Sequence, residues 1–152
     1  MSKICPVDGP PQIEPIGLEV TRTAKALSRA FDEALAAGGG SLPTWLVLVS
    51  LIGRTHERQR DLADAVGVEG ATLTHHLNRM EATGLVTRRR DADNRRVQRV
   101  ELTPSGQRTF RALRRHAADF DEQLRDGFTD DELTQLRGFL ERLRDNAKGG
   151  SG

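Results

Sequence analysis

Apolar residues fall at intervals of three or four along most of this chain, which predicts a mainly helical protein with one short β interruption. Ile16, Val20, Ala24, Leu27, Phe31 and Leu35 make a single stripe on a helix over residues 13–37, which Gly38, Gly39 and Gly40 stop. Ser41 supplies a capping hydroxyl for a second helix, with Trp45, Leu48, Val49 and Ile52 on one face. Its sequence WLVLVSLI is apolar nearly all round, so a central, buried helix is expected. The polar stretch RTHERQR follows, and a third helix is predicted over residues 59–66 with Leu62, Ala65 and Val66 inward.

The next segment changes character twice. Gly67 permits a left-handed turn, Val68 fills the angle behind it, and a fourth helix is expected over residues 70–83. Leu73, Leu77 and Met80 take its inner face, which leaves Thr72, Thr74, His75, Asn78 and Arg79 pointing outward. Gly84 ends that helix and Leu85-Val86-Thr87 begins a strand. Residues 88–103 then form a hairpin whose tip, Asp91-Ala92-Asp93-Asn94, is turn chemistry. Thr103-Pro104 opens a long helix striped by Phe110, Leu113, Ala117, Phe120, Leu124 and Phe128. Thr129 and Glu132 form a capping box for a last helix carrying Leu133, Leu136, Leu140 and Leu143.

Composition narrows the function. A chain of 152 residues holds one domain with a real core, and with only 4% aromatic residues that core has to be mostly Leu, Val and Ala. No apolar run approaches the ~20 residues of a membrane span, and the N-terminus lacks the apolar region of a secretory signal. The single cysteine, Cys5, excludes an internal disulfide, and a cytoplasmic location is expected. No nucleophile elbow, metal motif or glycine-rich phosphate loop is present, so an enzyme is not expected. His75 and His76 project about 100° apart on a helix and do not chelate; with His56 and His116 scattered, neither metal nor cofactor is expected.

The net charge of +1 decides nothing, but its distribution does. Residues 88–99 carry six arginines and two aspartates, whereas residues 119–145 carry nine acids and four arginines. One basic and one acidic segment suggest a face for a polyanion and a face turned away from it. A helix fits the major groove of B-DNA, where Thr72, Thr74, His75, Asn78 and Arg79 can reach base edges or phosphates. Backbone amides near Ala71 and Thr72 add a phosphate site at the helix start. The hairpin arginines Arg88, Arg90, Arg95, Arg96 and Arg99 suit phosphates or a narrow minor groove.

Four pieces in this order carry a family resemblance: DLADAVGV, TLTHHLNRMEATGLVTR, the tip DADNRR, and LTPSG opening a long helix. The chain resembles the MarR family of winged helix-turn-helix repressors over about residues 16–143. The resemblance implies a mainly α fold with a small β-hairpin wing, and dimerisation helices at both ends. The implied layout is a flexible arm at 1–12, a dimerisation helix at 13–40 and a DNA-binding lobe at 41–103. C-terminal dimerisation helices at 104–146 and a disordered tail at 147–152 complete it.

The family's wing pattern, Asp-x-x-Asp-x-Arg, reads here as Asp91, Asn94 and Arg96. The amide of Asn94 supplies no charge to orient Arg96, and Asp93 is the neighbouring acid that could. The resemblance also implies a small, often aromatic and anionic effector in a pocket near Trp45, with Arg22, His56 and Phe110 as further candidates. Cys5 would mark a thiol-responsive variant, and shared histidines a metal-responsive one.

A lone winged lobe cannot cover the stripes of the terminal helices, so Phe110, Phe120, Phe128, Leu133, Leu136 and Leu140 are expected to be buried between two copies. The partners expected are a second copy of the chain and a pseudo-palindromic duplex DNA operator. The competing reading is a dimeric winged-helix module that binds another protein.

Overall fold

The computed structural model describes residues 13–54 and 57–149, which fold into six helices and three short strands. The order is α1 (Ile16–Ala36), α2 (Leu42–Leu51), β1 (Glu57–Arg58), α3 (Gln59–Val66), α4 (Gly70–Ala82), β2 (Val86–Arg90), β3 (Gln98–Leu102), α5 (Pro104–Arg125) and α6 (Asp130–Gly149). The expected arm and Cys5 and His56 lie outside the described residues. Helix α6 continues to Gly149, three residues into the stretch expected to be tail.

The helix boundaries follow the capping chemistry. Thr44 N–H donates to the Ser41 hydroxyl at the start of α2, and Gly106 N–H to the Thr103 hydroxyl at the start of α5. At α6 the box closes in both directions: Thr129 N–H donates to Glu132 Oε2 at 2.8 Å, and Glu132 N–H to Thr129 Oγ1 at 3.2 Å. Gly67, at φ 77°, turns the chain between α3 and α4 in the left-handed region that a side chain would oppose.

Leu35, Val47, Leu48, Leu51, Leu62, Leu73, Leu77, Val86, Val100 and Leu113 are the fully buried centre. They come from α1 to α5 and both hairpin strands, so the helix-turn-helix and the hairpin share one core with α1 and α5. Two expectations change here. The second helix is not buried all round, because Val49 and Ile52 are exposed while Val47, Leu48 and Leu51 face the core. On α3 the buried pair is Leu62 and Ala63, and Ala65 faces solvent.

The sheet has order β1-β3-β2, all antiparallel. The hairpin was legible; β1 was not. Two residues are too few for a period, and this strand exists because Glu57 and Arg58 pair with Val100 and Arg99 on β3. That pairing ties the start of α3 to the wing.

The terminal helices behave differently from one another. Phe31 of α1 stacks on Phe120 of α5 at 4.8 Å, so Phe120 is buried within its own chain. Phe110 also packs internally. Both were expected to wait for a second copy. Helix α6 buries no residue, and Phe128, Leu136, Phe139 and Leu140 lie exposed with Ile16, Leu18 and Leu27 of α1.

Candidate nucleic-acid interface

Helix α4 separates its two faces cleanly. Leu73, Leu77 and Met80 are buried, while Ala71, Thr72, His75, Asn78 and Arg79 are exposed. Thr74 is half-buried and already engaged: its hydroxyl donates to Gly70 C=O at 2.9 Å and accepts from Gln59 Nε2 at 2.8 Å. The outward set read from the sequence is therefore brought together on one surface, with Thr74 turned toward α3. His76 packs sideways, and its burial, then the nearby charges of His75 and Arg79, hold its imidazole below the ordinary 6.5.

The hairpin arginines divide into two groups. Arg90, Arg95 and Arg96 are exposed and line a groove of about 1370 Å³ shared with Arg58, Arg60 and Thr74. Asp61 and Asp64 of α3 and Glu69 at the start of α4 also line it. Arg88 and Arg99 instead spend their guanidinium groups inside the lobe. Arg88 is paired with Glu81 at 3.0 Å, and Arg99 with Asp91 at 2.5 Å. Arg89, on the outer face of β2, is bonded to Glu101 of β3.

Asp91 organises the wing tip. It is 6% exposed, and its Oδ1 accepts from the backbone N–H groups of Asp93 at 2.8 Å and Asn94 at 3.4 Å. Its Oδ2 accepts from Arg99 Nε. The wing acid thus holds Arg99, not Arg96, and Asp93 contributes to this network through its backbone N–H. Asn94 does engage Arg96, but by accepting its backbone N–H at 3.1 Å. A turn built from an aspartate accepting two forward N–H groups needs no second acid.

A model of the MarR family matches residues 41–97, which span the helix-turn-helix and most of the wing. The transcriptional regulator PA3341 is 32% identical over 89% of this chain and 99% of its own, with a TM-score of 0.76. The chain belongs to the MarR family. An HTH-type transcriptional regulator of Bacillus subtilis (strain 168), YdgJ, is 26% identical over 84% of this chain and 79% of its own. A mutant MarR from E. coli complexed with operator DNA shares the fold at a TM-score of 0.78 and 22% identity, covering 86% of this chain and 94% of that one. The protein is accordingly a winged-helix transcriptional regulator and not an enzyme.

Two parts of this MarR-family chain were missed in the sequence. Arg58 and Arg60 join the groove only because β1 pairs with β3 and brings the start of α3 beside the wing. The pairing of Glu81 with Arg88 is the second: Glu81 is the acid that holds Arg88. Of the candidate effector residues, Trp45 and Phe110 stack at 5.2 Å with rings nearly parallel, 1° apart. Arg22 is exposed on α1 and paired with Glu14. Among the described residues no group of three or more His, Cys, Asp or Glu is placed to hold a metal. No helix among them is long and apolar enough to cross a membrane.

The wing network sets a pH dependence. Backbone donation from Asp93, then the Arg99 guanidinium, hold the Asp91 carboxyl below its ordinary 3.8. A depressed folded-state value means stability that is present above the unfolded pKa and lost as pH falls through the folded one. Asp91→Asn is expected to melt below wild type at neutral pH, and the two melting curves should converge on acidification below about pH 4. Parallel curves across that range would mean that Asp91 does not hold the tip by its charge.

Proposed function

We propose that this chain acts as a homodimeric, sequence-specific DNA-binding repressor in the cytoplasm, released from its operator by a small-molecule effector. The observation that carries this reading is the exposed polar face of α4 together with an arginine-lined groove that reaches Gly70 and Thr74 of the same helix. Thr72, His75, Asn78 and Arg79 enter the major groove, with the free N–H groups around Ala71 and Thr72 on a phosphate. Arg90, Arg95 and Arg96 follow the backbone into the adjacent minor groove. Arg88 and Arg99 serve as struts of the lobe, with Asp91, Asp93 and Asn94 shaping the tip. The E. coli MarR structure with operator DNA supports this choice of partner.

The dimer is supported by exposed apolar side chains concentrated on the terminal helices. Ile16, Leu18 and Leu27 on α1, with Phe128, Leu136, Phe139 and Leu140 at α6, are each 40–59% exposed in one chain. Full burial of such a side chain is worth roughly 1.5–3 kcal/mol, so a second copy related by a two-fold axis covers them. The axis sets two α4 helices about one DNA turn, ~34 Å, apart and makes the operator a pseudo-palindrome. An effector near the Trp45–Phe110 stack would act by favouring a different spacing of the two lobes, and only to the extent that it binds that state more tightly.

A gel shift with the promoter region beside the protein's own gene tests the reading. Salt-sensitive binding that a scrambled duplex of equal length does not compete away is the expected result. Equal binding to both duplexes would remove sequence recognition from the function.

A further inference from the structure

Arg88 joins the recognition helix to the wing through a single carboxylate. Its backbone N–H donates to Glu81 Oε2 at 3.0 Å, and its Nη2 donates to Glu81 Oε1 at 3.0 Å. The same Nη2 donates to Asn78 Oδ1 at 2.6 Å. The Arg88 side chain is only 15% exposed, so it is fixed from both sides, whereas Asn78 stands on the open face of α4.

This contact decides which way the Asn78 amide points. A guanidinium has donors and no acceptor, so the amide atom that meets it has to be the oxygen. The NH₂ group is then turned away from Arg88. Asparagine reads adenine by accepting from N6 and donating to N7, which uses both of its atoms. One lone pair of Oδ1 and the orientation of the amide are fixed by Arg88, so the part of Asn78 turned away from Arg88 is its NH₂ group with two N–H donors. Guanine presents two acceptors, N7 and O6, on its major-groove edge.

We propose that Arg88 is a positioning residue for base readout: held by Glu81, it locks the Asn78 amide as a donor, so that Asn78 favours guanine over adenine. This rests on the DNA-reading role proposed above. It differs from a direct phosphate contact by Arg88, because an arginine spent on a side-chain amide releases no counterion from DNA.

The test uses the full chain and duplexes selected from a random-sequence pool. Wild type, Asn78→Ala, Arg88→Met and the double variant are measured on the best duplex and its single-base variants, from roughly 50 to 200 mM salt. Wild type is expected to favour guanine over adenine by roughly tenfold at one pair per half-site. Both single variants should flatten that same position, the double should flatten it no further, and the salt slope should stay at the wild-type value.

A slope reduced by about one unit per arginine removed would overturn the proposal, as would flattening at a different pair or a preference for adenine. Asn78→Asp guards against a misfolded Arg88→Met. It keeps the pairing with Arg88 but offers only acceptors, so the preferred base should change from guanine to cytosine, whose N4 donates. Retained guanine preference in Asn78→Asp would also sink the idea. Wild type that selects no sequence at all would remove the DNA-reading role itself, a result distinct from all of these.

Discussion

Replacing Arg90, Arg95 and Arg96 together by alanine is expected to reduce the salt slope of operator binding by roughly five units per dimer, and affinity by three orders of magnitude or more at low salt. These three guanidinium groups are exposed on the wing and gathered along one groove. If each meets one phosphate, six counterions are released per dimer, and each contributes roughly 0.9 to the slope. Their removal touches no buried contact, so the melting temperature should stay close to that of wild type. Fluorescence anisotropy of a labelled operator over a salt series reads both quantities. Arg89→Ala is the internal control. Its guanidinium is bonded to Glu101, so a markedly smaller loss is expected from it. A loss from Arg89→Ala of about a third of the triple's, in log units, would mean that the wing acts only through bulk charge.

Gly106→Ala should be the most damaging single methyl in the protein. A Cβ there would lie 2.2 Å from Leu85 O and 2.6 Å from Leu102 Cδ1. The carbonyl cannot retreat freely, because it already accepts from Thr103 N–H at 3.1 Å and faces the Thr103 hydroxyl at 3.0 Å. This is the corner where the wing strands meet the start of α5. Overpacking at such a site costs about 1–3 kcal/mol, and the rigid backbone neighbour puts Gly106→Ala at the upper end. For a chain of this size that is a fall of roughly 5–10 °C in Tm. Gly138→Ala gives the contrast: its Cβ would meet nothing within 4 Å on an exposed helix, so a gain of about 0.5–1 kcal/mol is expected. Thermal melts of the two variants beside wild type decide the matter. A stable Gly106→Ala would mean that the corner is looser than its contacts indicate.

The helices and the hairpin were legible because each announces itself locally. The stripe of Leu73, Leu77 and Met80, the Thr129–Glu132 box and the Thr103-Pro104 start all act within a turn or two of chain. What escaped the sequence depends on register and tertiary approach. Arg88 and Arg99 look like any other arginine in a basic run, yet β2 and β3 bring them to Glu81 and Asp91, seven and eight residues away. Strand β1 has no pattern of its own and is defined by its partner. The apolar stripe of α5 reads in the sequence as one surface, whereas Phe120 turns inward to Phe31, and the leucine stripe of α6 does not point to the exposed Phe139. A periodic stripe says that a face is covered, without saying whether the cover comes from the same chain.

That question has a direct experimental answer. Sedimentation of the full chain at micromolar concentration, alone and with a selected duplex, should give two chains free and two chains per duplex, with protected half-sites centred about one helical turn, ~34 Å, apart. A well-folded single chain that binds one isolated half-site as tightly as the full duplex would contradict the paired reader proposed here.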